Sequence, residues 1–182
     1  MTEHTTILSG KKFDITLDRL CYQLIENHDR FQNSALIGLQ PRGIYLAAAL
    51  ELRLNEILKP IKIPYGILDT TFHRDDFRTH KGPLVPSSMQ MNLVVENKRI
   101  IFVDDVLFTG RTIRAGMDAL LDFGRPASVE LLVLVDRRYS RQLPIEPDYV
   151  GLMVDTRASQ RVKVNWKAAG EAEDSVWLLS GE

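Results

Sequence analysis

The sequence predicts an α/β fold: a mainly parallel sheet flanked by helices, with a small hood beside it. Two observations support this fold class. Continuous apolar runs typical of buried strands alternate with helical segments, and this rhythm gives way to shorter strands and turns after Tyr139. The 182 residues are enough for one sizeable domain, so we expect a single domain that spans 1–182.

The first predicted element is a helix. Apolar side chains recur at spacings of three and four between Phe13 and His28, and Ser9 is a suitable residue to start this helix. Further along the chain, Pro64 indicates an irregular or an edge position for the strand that contains it. The elements that follow the first helix are strand 35–39, helix 44–58, strand 61–69, strand 99–105, helix 110–123 and strand 128–135.

Two regions interrupt this regular alternation. The polar, charged stretch over about 70–90 is longer than an ordinary connection in a compact domain, and we expect it to be a mobile loop. The hood is expected to combine the N-terminus with roughly 139–182, which contains several short strand-like runs. Trp166 and Trp177 are interpreted as packing residues of this hood or of an oligomer contact.

Composition restricts the possible partners and the compartment. The formal net charge is −1, so the chain has no overall field that would attract nucleic acid or an anionic membrane. The single Cys21 excludes an intramolecular disulfide and is typical of a reducing compartment. The chain has no apolar signal core and no run near the roughly 20 apolar residues of a membrane-spanning helix. We therefore expect a cytoplasmic protein without a membrane partner.

The stretch "VDDVLFTGRT" over 103–112 is the strongest indication of chemistry. Ligands of open parallel sheets bind beyond the carboxyl ends of the strands, where Asp104 and Asp105 stand. A glycine flanked by threonines at the start of a helix offers backbone donors to a phosphate, although its spacing differs from that of a Walker A loop. Carboxylates accept hydrogen bonds from hydroxyls or reach a divalent metal through water. The segment predicts a phosphorylated ribose as ligand, and we expect the empty aspartate pair to be strained by like-charge repulsion.

The segment "FVDDVLFTGRT" resembles the phosphoribosyl pyrophosphate (PRPP) signature of type I phosphoribosyltransferases. The chain as a whole resembles the PyrR family, the pyrimidine operon regulators that have uracil phosphoribosyltransferase activity. The resemblance covers most of the chain in five ordered blocks, which are 36–47, 69–76, 103–126, 131–138 and 141–151. It implies the type I phosphoribosyltransferase fold and a reaction in which uracil and PRPP give UMP and pyrophosphate with Mg²⁺.

The resemblance also implies roles for individual residues. Asp104 and Asp105 would be catalytic, holding the ribose hydroxyls and Mg²⁺ through water and PRPP. Arg74 would be the catalytic residue of the mobile loop. The implied substrate-binding residues are Arg42 and Gly43 for pyrophosphate; Val106, Leu107, Phe108, Thr109, Gly110, Arg111 and Thr112 for the 5′-phosphate side; Asp136 and Arg137 on the same rim; and Tyr149 and Val150 for uracil.

Three alternatives remain open at this stage. Some members of the family bind leader RNA of the pyrimidine operon when UMP is present, but we expect Thr, His and Arg in those members where this chain has Asp18, Tyr22 and Asn27. A purine phosphoribosyltransferase has the same fold, and the third alternative is a sugar-phosphate-binding regulator without turnover. The implied partners are PRPP, uracil and UMP, with RNA a doubtful partner, and the resemblance implies a homodimer or a higher homo-oligomer.

Overall fold

A computed structural model of the protein describes residues 4–70 and 93–180. Three α-helices and eight strands lie within these residues. The helices are α1 (Gly10–His28), α2 (Gly43–Ile57) and α3 (Arg111–Leu120). The strands are β1 (His4–Ser9), β2 (Ser34–Leu39), β3 (Tyr65–Leu68), β4 (Arg99–Leu107), β5 (Ser128–Arg138), β6 (Tyr149–Asp155), β7 (Gln160–Asn165) and β8 (Ser175–Ser180).

Five strands form the main sheet in the order β3-β2-β4-β5-β6, and all neighbouring pairs are parallel. Every residue of β2 is buried, and β4 is buried from Ile100 to Asp105. Strands this apolar require cover on both faces of the sheet, which the helices provide. The predicted fold class is therefore confirmed, as is the edge position of the strand that follows Pro64.

The two faces of the main sheet have separate apolar cores. Ile101 and Val103 of β4 pack with buried residues of α1 and α2, whereas Ile100 and Phe102 pack with buried residues of α3. Successive side chains of a strand point to opposite faces, so this alternation continues to the end of β4. Asp104 consequently leaves the strand on the α3 face, and Asp105 leaves it on the face of α1 and α2.

A second, antiparallel sheet joins the two ends of the chain in the order β1-β8-β7. Its buried side chains Val164, Trp166 and Val176 belong to the same core as α1 and α2. Trp166 follows β7 directly and meets the Phe13 ring edge-on, with 5.5 Å between the ring centroids. We call this sheet and Trp166 the hood. It rests on the face of the main sheet toward which Asp105 points.

Several predicted boundaries are corrected. The predicted hood segment 139–182 includes β6, but β6 pairs with β5 and forms an edge of the main sheet. The predicted strand 61–69 shortens to β3, and the predicted helix 110–123 ends its α-helical part at Leu120 before a 3-10 turn. The loop predicted over 70–90 lies outside the described residues except for Thr70. Among the described helices, none combines the length and apolar character needed to span a membrane.

Candidate active site

The predicted site residues after three strands meet at one edge of the main sheet. Arg42 and Gly43 follow β2, the acid pair ends β4, and Asp136 and Arg137 end β5. The register pairs Gly38 of β2 with Val103, and Leu107 of β4 with Asp136. Parallel strands bring their carboxyl ends to the same edge, so the topology assembles groups from three separate sequence blocks.

An anion pocket lies where β4 passes into α3. It has a cavity volume of about 130 Å³ and is lined by Asp104 and the segment from Val106 to Ile113. Gly110 is the N-cap residue of α3 and has a φ of 90°, a conformation that favours glycine. The first N–H groups of a helix and its dipole favour an anion at this position. The residues predicted to bind the phosphate therefore line one pocket, with one carboxylate on its wall.

Gly43 allows α2 to begin directly against β4. A Cβ atom at this position would lie 2.2 Å from the Val103 carbonyl oxygen and 2.9 Å from the Cα of Asp104. Both atoms belong to the backbone, so no side-chain movement relieves the overlap. The absence of a side chain at position 43 thus lets a second helix N-terminus approach the acid pair, and it carries Arg42 to the same place.

The two aspartates have different surroundings. The Oδ1 atom of Asp104 accepts a hydrogen bond from the backbone N–H of Asp105 at 2.9 Å, and Asp104 lines the anion pocket. The Oδ2 atom of Asp105 accepts a hydrogen bond from Arg42 Nε at 2.9 Å. Arg42 also donates to the backbone carbonyl of Val164 in the hood. The expectation of a strained like-charge pair is corrected, because the side chains leave opposite faces of β4 and an arginine neutralises one of them.

Trp166 contributes to the surroundings of Asp105 in a way that the sequence did not indicate. Burial raises the pKa of Asp105, and this rise is opposed by Arg42, by the backbone N–H of Val106 and, least of these, by the Trp166 indole. The indole N–H is buried and completes no hydrogen bond within the described part of the chain. A buried donor in this state costs about 1–3 kcal/mol, so such groups usually have a functional or structural explanation.

Arg137 and Phe108 form a second pocket beside the anion pocket. The Arg137 guanidinium lies 4.1 Å from the centroid of the Phe108 ring and donates to Thr156 Oγ1 at 3.1 Å and to the Gln160 carbonyl at 3.0 Å. The cavity has a volume of about 270 Å³. Its lining residues are Phe108, Arg137, Tyr139, Ser140, Thr156, Arg157 and Ala158. Phe108 lines both pockets, so the two pockets are neighbours.

Arg141 holds the segment between the acid pair and the phosphate loop. Its guanidinium donates to the Phe108 carbonyl at 2.7 Å and to the Leu107 carbonyl at 3.3 Å, and it also contacts the Asp136 carboxylate. No motif in the sequence indicates a site role for this residue. Its position five residues after Asp136 does not predict these contacts, because the conformation of the loop determines which carbonyls the Arg141 guanidinium reaches.

Tyr149 and Val150 do not reach this edge of the sheet. They begin β6, where Tyr149 pairs with Leu132, whereas Asp136 pairs with Met153, four residues later. Four residues of a strand span about 13 Å. Their prediction as uracil-binding residues is therefore wrong. The strand β6 is parallel to β5, so its first residues lie away from the side of the sheet where the strands have their carboxyl ends. Arg74, the predicted catalytic residue of the mobile loop, lies outside the described residues.

The donor set of the site restricts how a metal ion is held. Within residues 4–70 and 93–180, no cluster of three or more His, Cys, Asp or Glu side chains is arranged for a metal. One of the two aspartates is also paired with Arg42. Mg²⁺ commonly binds through one or two carboxylates, several waters and the phosphates of a substrate. The acid pair fits an ion of this kind and does not provide a complete cage by itself.

Comparisons with known proteins agree with this geometry. The family described as Phosphoribosyl transferase domain matches residues 3–169. The protein named Bifunctional protein PyrR of Desulfosudis oleivorans is 44% identical over 164 residues, which is 90% of each chain. The Bifunctional protein PyrR of Listeria monocytogenes is 40% identical over 186 residues, with 100% of both chains covered.

Solved structures extend the agreement to the fold. The hypoxanthine phosphoribosyltransferase of Trypanosoma cruzi superposes with a TM-score of 0.71 and 14% identity, covering 98% of this chain and 97% of that one. The family match and the site together define a phosphoribosyltransferase, which is a pentosyltransferase enzyme. Within this class, the chain belongs to the PyrR family.

Proposed function

We propose that this protein is a Mg²⁺-dependent uracil phosphoribosyltransferase, which joins uracil to PRPP and releases UMP and pyrophosphate. One observation carries the proposal: Asp104 stands on the wall of an anion pocket at the N-terminus of α3. A phosphate in this pocket brings the attached sugar next to a carboxylate that accepts hydrogen bonds from its hydroxyls. A phosphorylated ribose satisfies both requirements with one ligand.

The 5′-phosphate binds in the anion pocket in this proposal. The residues that receive it are Thr109, Gly110, Arg111 and Thr112, with backbone groups of Val106, Leu107 and Phe108 beside them. Threonine hydroxyls and helix N–H groups donate hydrogen bonds, and the α3 dipole favours the negative charge. Asp104 and Asp105 hold the ribose hydroxyls, and Mg²⁺ bound through water and the PRPP oxygens neutralises charge on the pyrophosphate.

Pyrophosphate departs on the side of Arg42 and Gly43. The Arg42 side chain is 44% exposed, so its guanidinium is accessible to a ligand although it also contacts Asp105. A guanidinium binds phosphate oxygens with two parallel hydrogen bonds, and the backbone at the start of α2 adds further donors. Arg74 is the proposed partner from the loop, whose closure excludes water that would hydrolyse the activated sugar.

The base binds toward the pocket of Phe108 and Arg137 in this proposal. This placement replaces Tyr149 and Val150, and it keeps Arg137 as a substrate-binding residue. The Phe108 ring supplies an apolar face, and Ser140, Thr156 and Arg157 among the lining residues carry polar groups for a base edge. The choice of uracil rests on the resemblance to the PyrR family and on the run VDRR over 135–138, in the region where purine enzymes usually place a base-reading lysine.

A base panel tests the proposal directly. The wild-type protein is incubated with PRPP, Mg²⁺ and one of uracil, hypoxanthine or guanine, and pyrophosphate release is measured. We expect release with uracil and little with either purine. Turnover of a purine without turnover of uracil would replace the proposal with purine salvage. Absence of release with every base, together with tight PRPP binding, would favour a regulator without turnover.

RNA binding has less support than the reaction. Arg53 of α2 donates to Asp14 at 2.7 Å and lies 3.5 Å from Asp18, so two carboxylates share one arginine on the exposed side of α1. Arg19 donates to the carbonyls of Val150 and Gly151, which commits its guanidinium to β6. Phosphate contacts dominate RNA affinity, and carboxylates weaken them. We expect weak binding of pyrimidine leader RNA in a gel-shift assay, with or without UMP.

A further inference from the structure

We propose that Trp166 is a positioning residue. Its indole N–H donates a hydrogen bond to the Asp105 carboxylate when Arg42 leaves this carboxylate and binds the pyrophosphate of the substrate. The inference rests on the proposed function, because it requires Arg42 to bind a ligand. It concerns a residue of the hood that neither the sequence nor the family resemblance connects with the site.

The present partners of Asp105 explain why a second donor is needed. Arg42 supplies the hydrogen bond to Oδ2 at 2.9 Å and is the charged partner of this buried carboxylate. Asp105 is 5% exposed, so water has little access to replace the arginine. When the guanidinium moves to phosphate oxygens, the carboxylate keeps the backbone N–H of Val106 and gains the ribose hydroxyls, but it loses its charged partner. A further donor from within the protein replaces the lost hydrogen bond, because a buried charge with few hydrogen bonds is costly.

Trp166 is the group in position to supply that donor. It is 2% exposed, and its N–H is buried without a completed hydrogen bond within the described residues. The same indole contributes to lowering the pKa of Asp105, which indicates that its N–H lies beside that carboxylate. Val164, two residues earlier, already receives the other hydrogen bond of Arg42. Val164 of β7 therefore contacts Arg42, and Trp166, directly after β7, lies beside Asp105. The Asp105 carboxylate turns to the fixed indole N–H when Arg42 leaves it.

The surroundings of Trp166 keep its ring in place. The Phe13 ring of α1 meets it edge-on at 5.5 Å, and the Tyr45 ring of α2 stacks on it with 6.5 Å between centroids. A large side chain packed by two helices has few alternative rotamers. The orientation of the N–H is thus set by the packing, and the donor is available before the ligand arrives.

Trp177 provides a matched control. It is the second of the two tryptophans in the chain, and its N–H is also buried without a hydrogen-bond partner among the described groups. It belongs to β8, stacks on the His4 ring with 4.4 Å between centroids, and has the Lys163 ammonium 5.7 Å from its ring centroid. Its surroundings contain no residue of the acid pair, so the same substitution there removes an indole N–H without touching the site.

The first experiment compares W166F with W177F in steady-state kinetics. Both variants keep an aromatic ring and lose the N–H, and thermal unfolding verifies that both are folded. We expect W166F to raise KM for PRPP about tenfold with kcat and KM for uracil unchanged, because a hydrogen bond to a carboxylate is lost in the PRPP complex. W177F should match the wild type. Equal KM values for PRPP in the two variants would overturn the inference, as would a loss of kcat alone.

The second experiment measures fluorescence and does not need turnover. Trp166 is the single tryptophan of W177F, so its emission reports the indole directly. We expect titration with PRPP and Mg²⁺ to change this emission in a saturable way, with no change in W166F. An emission that stays constant while PRPP binds would overturn the inference. If the wild type turned over no base, the proposed function would fail, and this titration would still decide the role of Trp166.

Discussion

Polar groups differ in how fully they are hydrogen-bonded at the two edges of the parallel sheet, where the strands have their amino and their carboxyl ends. At the amino edge, Glu130 accepts hydrogen bonds from the Tyr149 hydroxyl and from Arg99, each at 2.7 Å, and its carboxylate lies 3.1 Å from His28 Nε2. The other ring nitrogen of His28 lies 2.8 Å from Ser34 Oγ. We call these five residues the amino-edge cluster. Each of them has a polar partner within the cluster.

At the carboxyl edge, some hydrogen-bond donors remain available to a ligand. Arg42 has an accessible guanidinium, and Trp166 has a buried N–H without a completed hydrogen bond in the described part of the chain. A saturated polar network stabilises and orders a fold, whereas an incompletely satisfied one is typical of a site that awaits a ligand. We therefore expect the amino edge to contribute to stability and the carboxyl edge to contribute to catalysis. Substitutions at each edge test this expectation.

The largest effect is expected from D104N at the carboxyl edge. The amide keeps the oxygen that accepts from the Asp105 N–H but loses the charge beside the sugar hydroxyls. We expect kcat/KM to fall about 100-fold or more, while the thermal midpoint remains close to that of the wild type. D155N is the control, since Asp155 is an exposed acid at the end of β6. A fully active D104N would refute the proposed role of Asp104.

The second expected effect distinguishes two neighbouring arginines. R137A removes the guanidinium over Phe108 and its hydrogen bonds to Thr156, so we expect KM for uracil to rise about tenfold. R138A removes an exposed side chain that pairs with Asp155, and we expect unchanged kinetics. Initial rates over a range of uracil concentrations decide the matter. Similar KM values for R137A and R138A would place the base elsewhere.

The third prediction concerns the amino edge. E130Q places an amide against Arg99 and His28 and removes the charge that holds both, so we expect the free energy of unfolding to fall by about 1–3 kcal/mol. Catalysis should be unchanged, because this edge is remote from the acid pair. Urea denaturation and kcat/KM are measured on the same preparation, with the exposed E56Q as control. Lost activity at full stability would contradict the division between the edges.

The smallest expected effect is a pH dependence of stability from His28. Burial lowers the pKa of His28 below 6.5, although Glu130 opposes this shift. As the pH falls below 6.5, the unfolded chain binds a proton at His28 more readily than the folded protein does. Protonation therefore favours unfolding, and the stability provided by the neutral, buried His28 is lost. We expect the urea midpoint to decline between pH 7.5 and 5.5 and to decline less in H28Q. Equal slopes for both proteins would exclude His28 as the source.

Glu130 adds a separate acid dependence at lower pH. Burial raises the pKa of Glu130, but hydrogen bonds from Tyr149 and Arg99 and the charge of His28 more than offset this, so the net shift is downward from 4.5. The stability that this carboxylate provides is present above pH 4.5 and is lost as the pH falls through its lowered value. The His28 contribution begins to be lost below pH 6.5 and the Glu130 contribution only below pH 4.5. The slope between pH 7.5 and 5.5 therefore tests His28, and the slope below pH 4.5 tests Glu130.

Much of the site was predictable because it belongs to one continuous segment. The apolar strand, the acid pair, Gly110 and the start of α3 follow each other within 99–112, and local rules determine their placement at a strand end and a helix start. The opposite orientation of Asp104 and Asp105 was also predictable from the period of two in a strand. The expected like-charge repulsion assumed that the two carboxylates lie side by side.

The errors concern residues whose position depends on pairing between distant segments. Tyr149 lies in a block that resembles the family, but a block does not show at which edge of the sheet its first residue stands. Arg141 and Trp166 act through carbonyls or carboxylates of other strands, at separations that no periodicity predicts. The conformation of the loop and the seating of the hood on α1 and α2 decide those contacts.

The sequence by itself determined the fold class and the placement of the acid pair and Gly110 between β4 and α3, because apolar periodicity and local backbone geometry are properties of short segments. Only the tertiary structure decided that Asp105 faces Arg42 and Trp166, that Asp104 lines the anion pocket, and that Tyr149 belongs to the opposite edge. Strand order and register set which side chains meet, and they result from the packing of the whole chain.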